Sequence, residues 1–213
     1  MVYDEECGLK VAEFLLKIKA VKLQPDNPFT WASGWKSPIY CDNRKTLSYP
    51  EIRTYLRQRF VDLILETYGK PDVIAGVATG GIAIGALVAQ ELGVPFIYVR
   101  SSSKAHGLNN QIEGDLREGQ SVVVIEDLVS SGKSSLVAVE ALRAANAIVK
   151  GMAAIFTYGF DVAEENFKKH NCKLSTLSNY SLLLQQAVES NYISEEKLET
   201  LNQWRSSPNT WNN

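Results

Sequence analysis

Glu126 and Asp127 stand side by side, behind a run of apolar residues and ahead of a small polar turn, in the segment VVVIEDLVSSGKSS spanning Val122 to Ser135. Two adjacent carboxylates can grip vicinal hydroxyls. The turn after them offers the hydroxyls of Ser130, Ser131, Ser134 and Ser135, together with backbone amides, to an anion. A helix starting at the end of that turn would add its positive N-terminal end. A sugar phosphate satisfies both halves, its hydroxyls on the acids and its phosphate in the turn. Gly132-Lys133-Ser134 also matches the end of the nucleotide-binding pattern G-x-x-x-x-G-K-[ST]. That reading fails at the first glycine, where Asp127 would repel the phosphates such a loop wraps. An ordinary capped strand-to-helix turn fits the same spacing, and the segment alone does not separate it from a ligand site.

Beyond its individual residues, VVVIEDLVSSGKSS resembles the binding motif of the type I phosphoribosyltransferases, which is four apolar residues, two acids, two variable positions, Thr/Ser-x-Gly and a further small polar residue. The stretch FTWASGWKSPIYCDNR, residues 29–44, is similar to the signature F-x-L-x-S-G-x-x-S-P-x-Y-x-D-x-R of orotate phosphoribosyltransferases. Lys104-Ala105-His106-Gly107 resembles the K-x-H-G catalytic loop of the same family. The three matches fall in the family's order and extend from Asn27 to Leu142.

The resemblance implies transfer of the phosphoribosyl group of 5-phosphoribosyl 1-diphosphate to orotate, giving orotidine 5-monophosphate and pyrophosphate for pyrimidine nucleotide synthesis. It implies that Glu126 and Asp127 contact the ribose hydroxyls, and that Leu128, Val129, Ser130, Ser131, Gly132, Lys133 and Ser134 surround the 5-phosphate, with Lys133 aimed at solvent or at the phosphate. Ala78, Thr79, Gly80 and Gly81 fall at the pyrophosphate loop, and Ser130 and Lys36 are expected near orotate. Positive charge develops on the sugar while the leaving diphosphate gains negative charge, so the reaction calls for cations at the leaving group. By the resemblance these are Mg2+, held mainly by the substrate and by no protein ligand directly, and Arg100, Lys104 and His106, reaching in from a neighbouring subunit of a homodimer. His106 can also pass a proton to pyrophosphate. Taken singly, these three residues would read as solvated surface groups; their setting in the loop motif is what singles them out.

Two departures matter. Ser101 follows Arg100 where the family often has an Arg-Lys pair, and Thr157-Tyr158-Gly159-Phe160 stands where many members carry D-R-x-E, whose arginine holds the orotate carboxylate. Backbone N–H groups or Lys36 are expected to compensate. A purine-base phosphoribosyltransferase and a non-catalytic phosphoribosyl-diphosphate-binding regulator are the alternatives. The first has less reason to carry SGWKSP with K-x-H-G, and the second could dispense with Lys104 and His106.

The elements that must position these residues are legible as periodicities. Short runs rich in valine and isoleucine at Asp72 to Val77, Phe96 to Val99, Ser121 to Ile125 and Val149 to Phe156 predict buried parallel strands. Helical spacing predicts helices over Asp4 to Lys19, Tyr49 to Glu66, Gly81 to Leu92 and Lys133 to Asn146, with two more between Asn179 and Trp204 and a short strand at Ile39 to Cys41. The result is an α/β fold, an open, mostly parallel sheet flanked by helices. It forms a single domain over residues 1–213, with a core over 69–160, a mobile loop over 100–118, and a hood from 1–45 plus the C-terminal helices, the first helix packing as a lid or as part of the hood. On this pattern the acidic pair lies beyond the end of its strand, where open α/β sheets bind ligands. Trp31, Trp35 and Tyr40 read as core or interface aromatics, and His170, beside Lys168 and Lys169, as structural.

Composition limits the remaining choices. A net charge of −2 gives no electrostatic reason for a nucleic-acid partner. Three widely spaced cysteines form neither a disulfide framework nor a zinc pattern, which suits a reducing cytoplasm. Asp4, Glu5 and Glu6 stand where a signal peptide would be basic, and no apolar run is long enough to cross a membrane.

Overall fold

The structure is a computed structural model that describes residues 2–31, 34–100 and 111–211. The first helix, α1 (Glu5–Lys17), is capped by Asp4, whose carboxylate accepts the Cys7 amide at 2.7 Å, with Glu5 and Glu6 in its first turn and Lys17 in its last, as the helix dipole favours. Four short strands follow: β1 (Val21–Leu23), β2 (Phe29–Thr30), β3 (Lys36–Ser37) and β4 (Ile39–Cys41). They pair antiparallel as β1 with β4 and β2 with β3. A 3-10 turn, Asn43–Ser48, leads into α2 (Pro50–Thr67), which starts with proline where its missing amide costs nothing.

The main body alternates strand and helix: β5 (Val73–Val77), α3 (Gly80–Leu92), β6 (Phe96–Val99), β7 (Ile112–Glu113), β8 (Ser121–Val129), α4 (Lys133–Ala144), β9 (Ile148–Thr157), α5 (Asp161–Lys169) and β10 (Leu174–Asn179). Two helices, α6 (Tyr180–Glu189) and α7 (Leu198–Ser206), end the described chain. The sheet order is β10-β9-β8-β5-β6-β7, parallel throughout except for β7. All five residues of β5 are buried, as expected of a central strand covered on both faces.

Side chains alternate across the sheet. Val122 and Val124 pack with Leu136, Val139 and Phe167 under α4 and α5, whereas Val123 and Ile125 join the larger cluster formed with α1, α2, α3 and α6. Continuing that alternation sends Glu126 towards α4 and Asp127 towards α3. The chain leaves β5 for β6 on one side and returns to β8 on the other, so the order reverses between β5 and β8. Open α/β sheets leave a crevice at such a reversal.

Several expectations need correction. β8 runs on to Val129, because β9 continues beside it with Leu128 opposite Phe156 and Val129 opposite Thr157. The acidic pair is therefore on the strand, not past its end. The interval 100–118, expected as one loop, contains β7, which pairs Val99 with Ile112 and Tyr98 with Glu113. β10 and α5 had no counterpart in the sequence reading. Finally, α1 does not stand off as a lid: Val11, Ala12 and Leu15 lie fully buried in the cluster that contains Ile125 and Leu177.

Candidate active site at the sheet reversal

Where β5 and β8 diverge, a cavity of about 390 Å³ opens. Its floor includes Ala78, Thr79 and Gly80 from the turn after β5, and Glu126, Asp127 and Leu128 from β8. Cys41, Asp42 and Arg44 wall it on the N-terminal side, and Ser134 at the start of α4 closes another edge.

The two acids have separate environments. Glu126 is 5% exposed, and its carboxylate accepts from the Ser135 hydroxyl at 2.8 Å and from the Asp127 amide at 2.9 Å. Burial pushes its pKa well above the ordinary carboxylate value, and the neighbouring Asp127 charge adds to the rise. Asp127 is only half-buried, and its carboxylate lies against the Cα of Gly80, so closely that a Cβ there would overlap it. Gly81 has the same constraint from the carbonyl of Ile125. Glycines at 80 and 81 thus let the first turn of α3 sit directly on the acidic strand. The Ala78–Thr79 peptide bond in this turn is cis. The amides of Gly80 and Gly81 precede the first bond of the helix, from Ile82 N–H to the Thr79 carbonyl, and can receive an anion.

A second anion seat follows β8. Gly132 adopts φ +76, with Phe167 occupying the space a Cβ would need at 2.6 Å, so the turn into α4 requires glycine. The turn is held from outside by Asn166, whose amide donates to the Ser131 carbonyl at 2.9 Å. Ser130 and Ser131 are half-buried, whereas Lys133 and Ser134 are exposed at the helix start.

The structure brings together Ala78 to Gly81 and Glu126 to Ser134. Lys36 is elsewhere, donating to the Thr30 hydroxyl at 2.8 Å across the β2–β3 pair and not lining this cavity. Arg100 sits at the end of β6, 3.5 Å from Glu113, while Lys104 and His106 lie outside the described residues. At the turn lacking the family's arginine, the Tyr158 amide already donates to the Val129 carbonyl at 3.2 Å and the Gly159 amide to Thr157 Oγ1 at 3.1 Å. These two backbone groups are therefore committed within the protein. Trp31 is a core aromatic, packed on Tyr158 and Trp204, and Trp35 and Tyr40 are exposed. His170 ends α5 with Nδ1 2.8 Å from the Asn166 carbonyl oxygen, in keeping with a structural role.

Sequence reasoning passed over Asn43. It is 1% exposed, and its side-chain amide donates to the Asp127 carbonyl at 2.7 Å, pinning the segment after β4 to the acidic strand. Its position directly before Arg44 was visible, but its partner lies 84 residues away in sequence.

Comparison with known proteins agrees with this geometry. Residues 46–181 match the family described as "Phosphoribosyl transferase domain". The orotate phosphoribosyltransferase of Porphyromonas gingivalis is 56% identical over 204 residues, 96% of this chain and 97% of that protein. Its counterpart in Bacteroides thetaiotaomicron is 60% identical over 200 residues, 94% of each. Among solved structures, the orotate phosphoribosyltransferase of Aeropyrum pernix superposes with a TM-score of 0.72 at 29% identity, covering 86% of this chain and 99% of that one. Leishmania donovani UMP synthase superposes at 0.77 with 28% identity; 93% of this chain corresponds to 42% of that longer one. The chain belongs to the phosphoribosyl transferase domain family and, within it, to the orotate phosphoribosyltransferases.

Proposed function

We propose that the protein joins orotate to 5-phosphoribosyl 1-diphosphate, forming the bond from N1 of orotate to C1 of the ribose as the C1–oxygen bond to diphosphate breaks. The N1 proton leaves, and orotidine 5-monophosphate and pyrophosphate are the products. The observation that carries the reading is the meeting of Asp127 with the Thr79-Gly80 turn at the sheet reversal, beside a glycine-capped helix start.

In this reading Asp127 takes the ribose hydroxyls. Glu126, buried and tied to Ser135, braces the strand that presents Asp127. Ser130 to Ser134 and the amides opening α4 take the 5-phosphate, and the turn from Ala78 to Gly81 takes the diphosphate. Arg100, with Lys104 and His106, neutralises the leaving group across a homodimer interface. Ser130 is the residue assigned to orotate; Lys36 could reach it only by leaving its bond to Thr30 outside this cavity. The half-buried carboxylates Asp42 and Asp127 in the cavity suit a hard cation held mainly by substrate oxygens. Asp127 would face Mg2+ carried by the diphosphate, and the cation would supply charge neutralisation to the leaving group. Among the described residues no helix is long and apolar enough to cross a membrane. A cytoplasmic location completes the proposal.

Incubating the purified protein with phosphoribosyl diphosphate, Mg2+ and, in turn, orotate, uracil, adenine, hypoxanthine and xanthine tests the assignment. Orotate alone should be consumed. Turnover of a purine without orotate would overturn the base assignment, and tight binding of phosphoribosyl diphosphate with no turnover would support a regulator.

A further inference from the structure

The turn from Ala78 to Gly81 carries no basic side chain, and none can be placed at Gly80, where even a Cβ would overlap the Asp127 carboxylate. The cavity wall holds three acids, Asp42, Glu126 and Asp127. A diphosphate entering it meets the carboxylates of Asp42 and Asp127, and the turn itself has only backbone amides to set against its charge.

Among the described residues one cation lines this cavity, Arg44. Its Nε donates to Asp42 Oδ1 at 2.7 Å, the one hydrogen bond its guanidinium makes among the described residues, so both terminal nitrogens are left with donors to spend. The Arg44 side chain is 58% exposed and that of Asp42 20%, so the carboxylate anchors the near edge while the far edge faces the opening. The backbone beneath is fixed, because Asn43, the preceding residue, is bonded to the Asp127 carbonyl. A guanidinium presenting a fork of donors matches phosphate oxygens in geometry as well as charge.

We infer that Arg44, oriented by Asp42, binds the diphosphate of phosphoribosyl diphosphate and of product pyrophosphate, supplying the cation that the Ala78 to Gly81 turn lacks. Asp42 is the positioning residue. The inference rests on the proposed phosphoribosyl transfer and adds to it a binding contact for the leaving group.

The test compares wild type with Arg44→Gln, Arg44→Lys and Asp42→Asn. Steady-state constants are measured forward, varying phosphoribosyl diphosphate and orotate separately, and in reverse, varying pyrophosphate and orotidine 5-monophosphate. Calorimetric binding of phosphoribosyl diphosphate with Mg2+ is measured alongside. Losing a charge-assisted contact in Arg44→Gln should raise KM for phosphoribosyl diphosphate and pyrophosphate about tenfold or more and weaken calorimetric binding in parallel. KM for orotate and for orotidine 5-monophosphate should change by less than about twofold, Arg44→Lys should recover part of the loss, and Asp42→Asn should lie between wild type and Arg44→Gln. Thermal midpoints should not move, because an exposed ion pair contributes little to folding. Unchanged constants for phosphoribosyl diphosphate and pyrophosphate would reduce Arg44 to a surface charge, and a rise confined to orotate would move it to the base; either overturns the inference. If wild type failed to turn over orotate, the proposed reaction would fall, while the calorimetric comparison would still decide Arg44.

Discussion

At Glu126 two demands meet in one side chain. Its oxygens complete the hydrogen bonds of Ser135 and the Asp127 amide, yet burial and the adjacent acid make a charge there costly. The folded state therefore holds the Glu126 proton at pH values where the unfolded chain has released it. Stability from this group is full below the ordinary carboxylate value of 4.5 and is lost as pH rises towards the raised folded value. Glutamine can make both bonds, accepting from Asp127 N–H and donating to Ser135 Oγ, without titrating. Glu126→Gln should accordingly gain stability over wild type as pH rises from about 5 to about 8, measured as the difference in urea midpoints. A difference independent of pH would show that burial does not govern this carboxyl. The adjacent acids were legible in the sequence as a pair, but their division of labour was not. It depends on which sheet face each residue takes and on Ser135 meeting one of them, neither of which the spacing alone reveals.

At the scale of elements, the run of valine and isoleucine announced β5, because a strand buried on both faces must be apolar along its length, whereas β6, equally apolar in sequence, buries only alternate residues. β10, Leu174–Asn179, escaped notice since serine, threonine and asparagine fill much of it; Ser178 meets its polar need by donating to the Gly8 carbonyl at 2.8 Å. β8 was read too short for a related reason: acids seldom continue a buried strand, and only the pairing with β9 carries the ladder through them. The turn from β8 to α4 was legible as a small-residue turn, though not its dependence on Phe167. Gly132→Ala places a side chain at φ +76 and against that ring, and it should destabilise the fold by about 1–3 kcal/mol. Chemical denaturation measures this loss. Wild-type stability would mean that the turn can rotate out of the left-handed region and that its shape is not set by Phe167.

Across the whole molecule, the ends of the chain are joined by aromatic packing. Trp204 of α7 is fully buried, with ring centroids 5.4–5.7 Å from Trp31, Tyr158, Phe160 and Tyr180. Tyr158 and Phe160 follow β9, so this cluster couples the C-terminal helix, the start of the β2–β3 connection and the sheet end beside the active-site strand. The sequence predicts a single domain over residues 1–213, with a hood from 1–45 plus the C-terminal helices and a core over 69–160. In the structure Ile39, Leu201 and Trp204 belong to one continuous apolar cluster with Ile74 and Ile125. Such a cluster has no weak seam along which a hood could come away first. Trp204→Ala should therefore remove about 3–5 kcal/mol from the entire fold, lowering the midpoint of a single transition seen alike by tryptophan fluorescence and far-UV circular dichroism. Two separated transitions in wild type, with only the first shifted by the substitution, would show that the hood is an independent unit. That outcome would also free the wall carrying Arg44 and Asn43 to move against the strand carrying Asp127, which the Asn43 bond opposes.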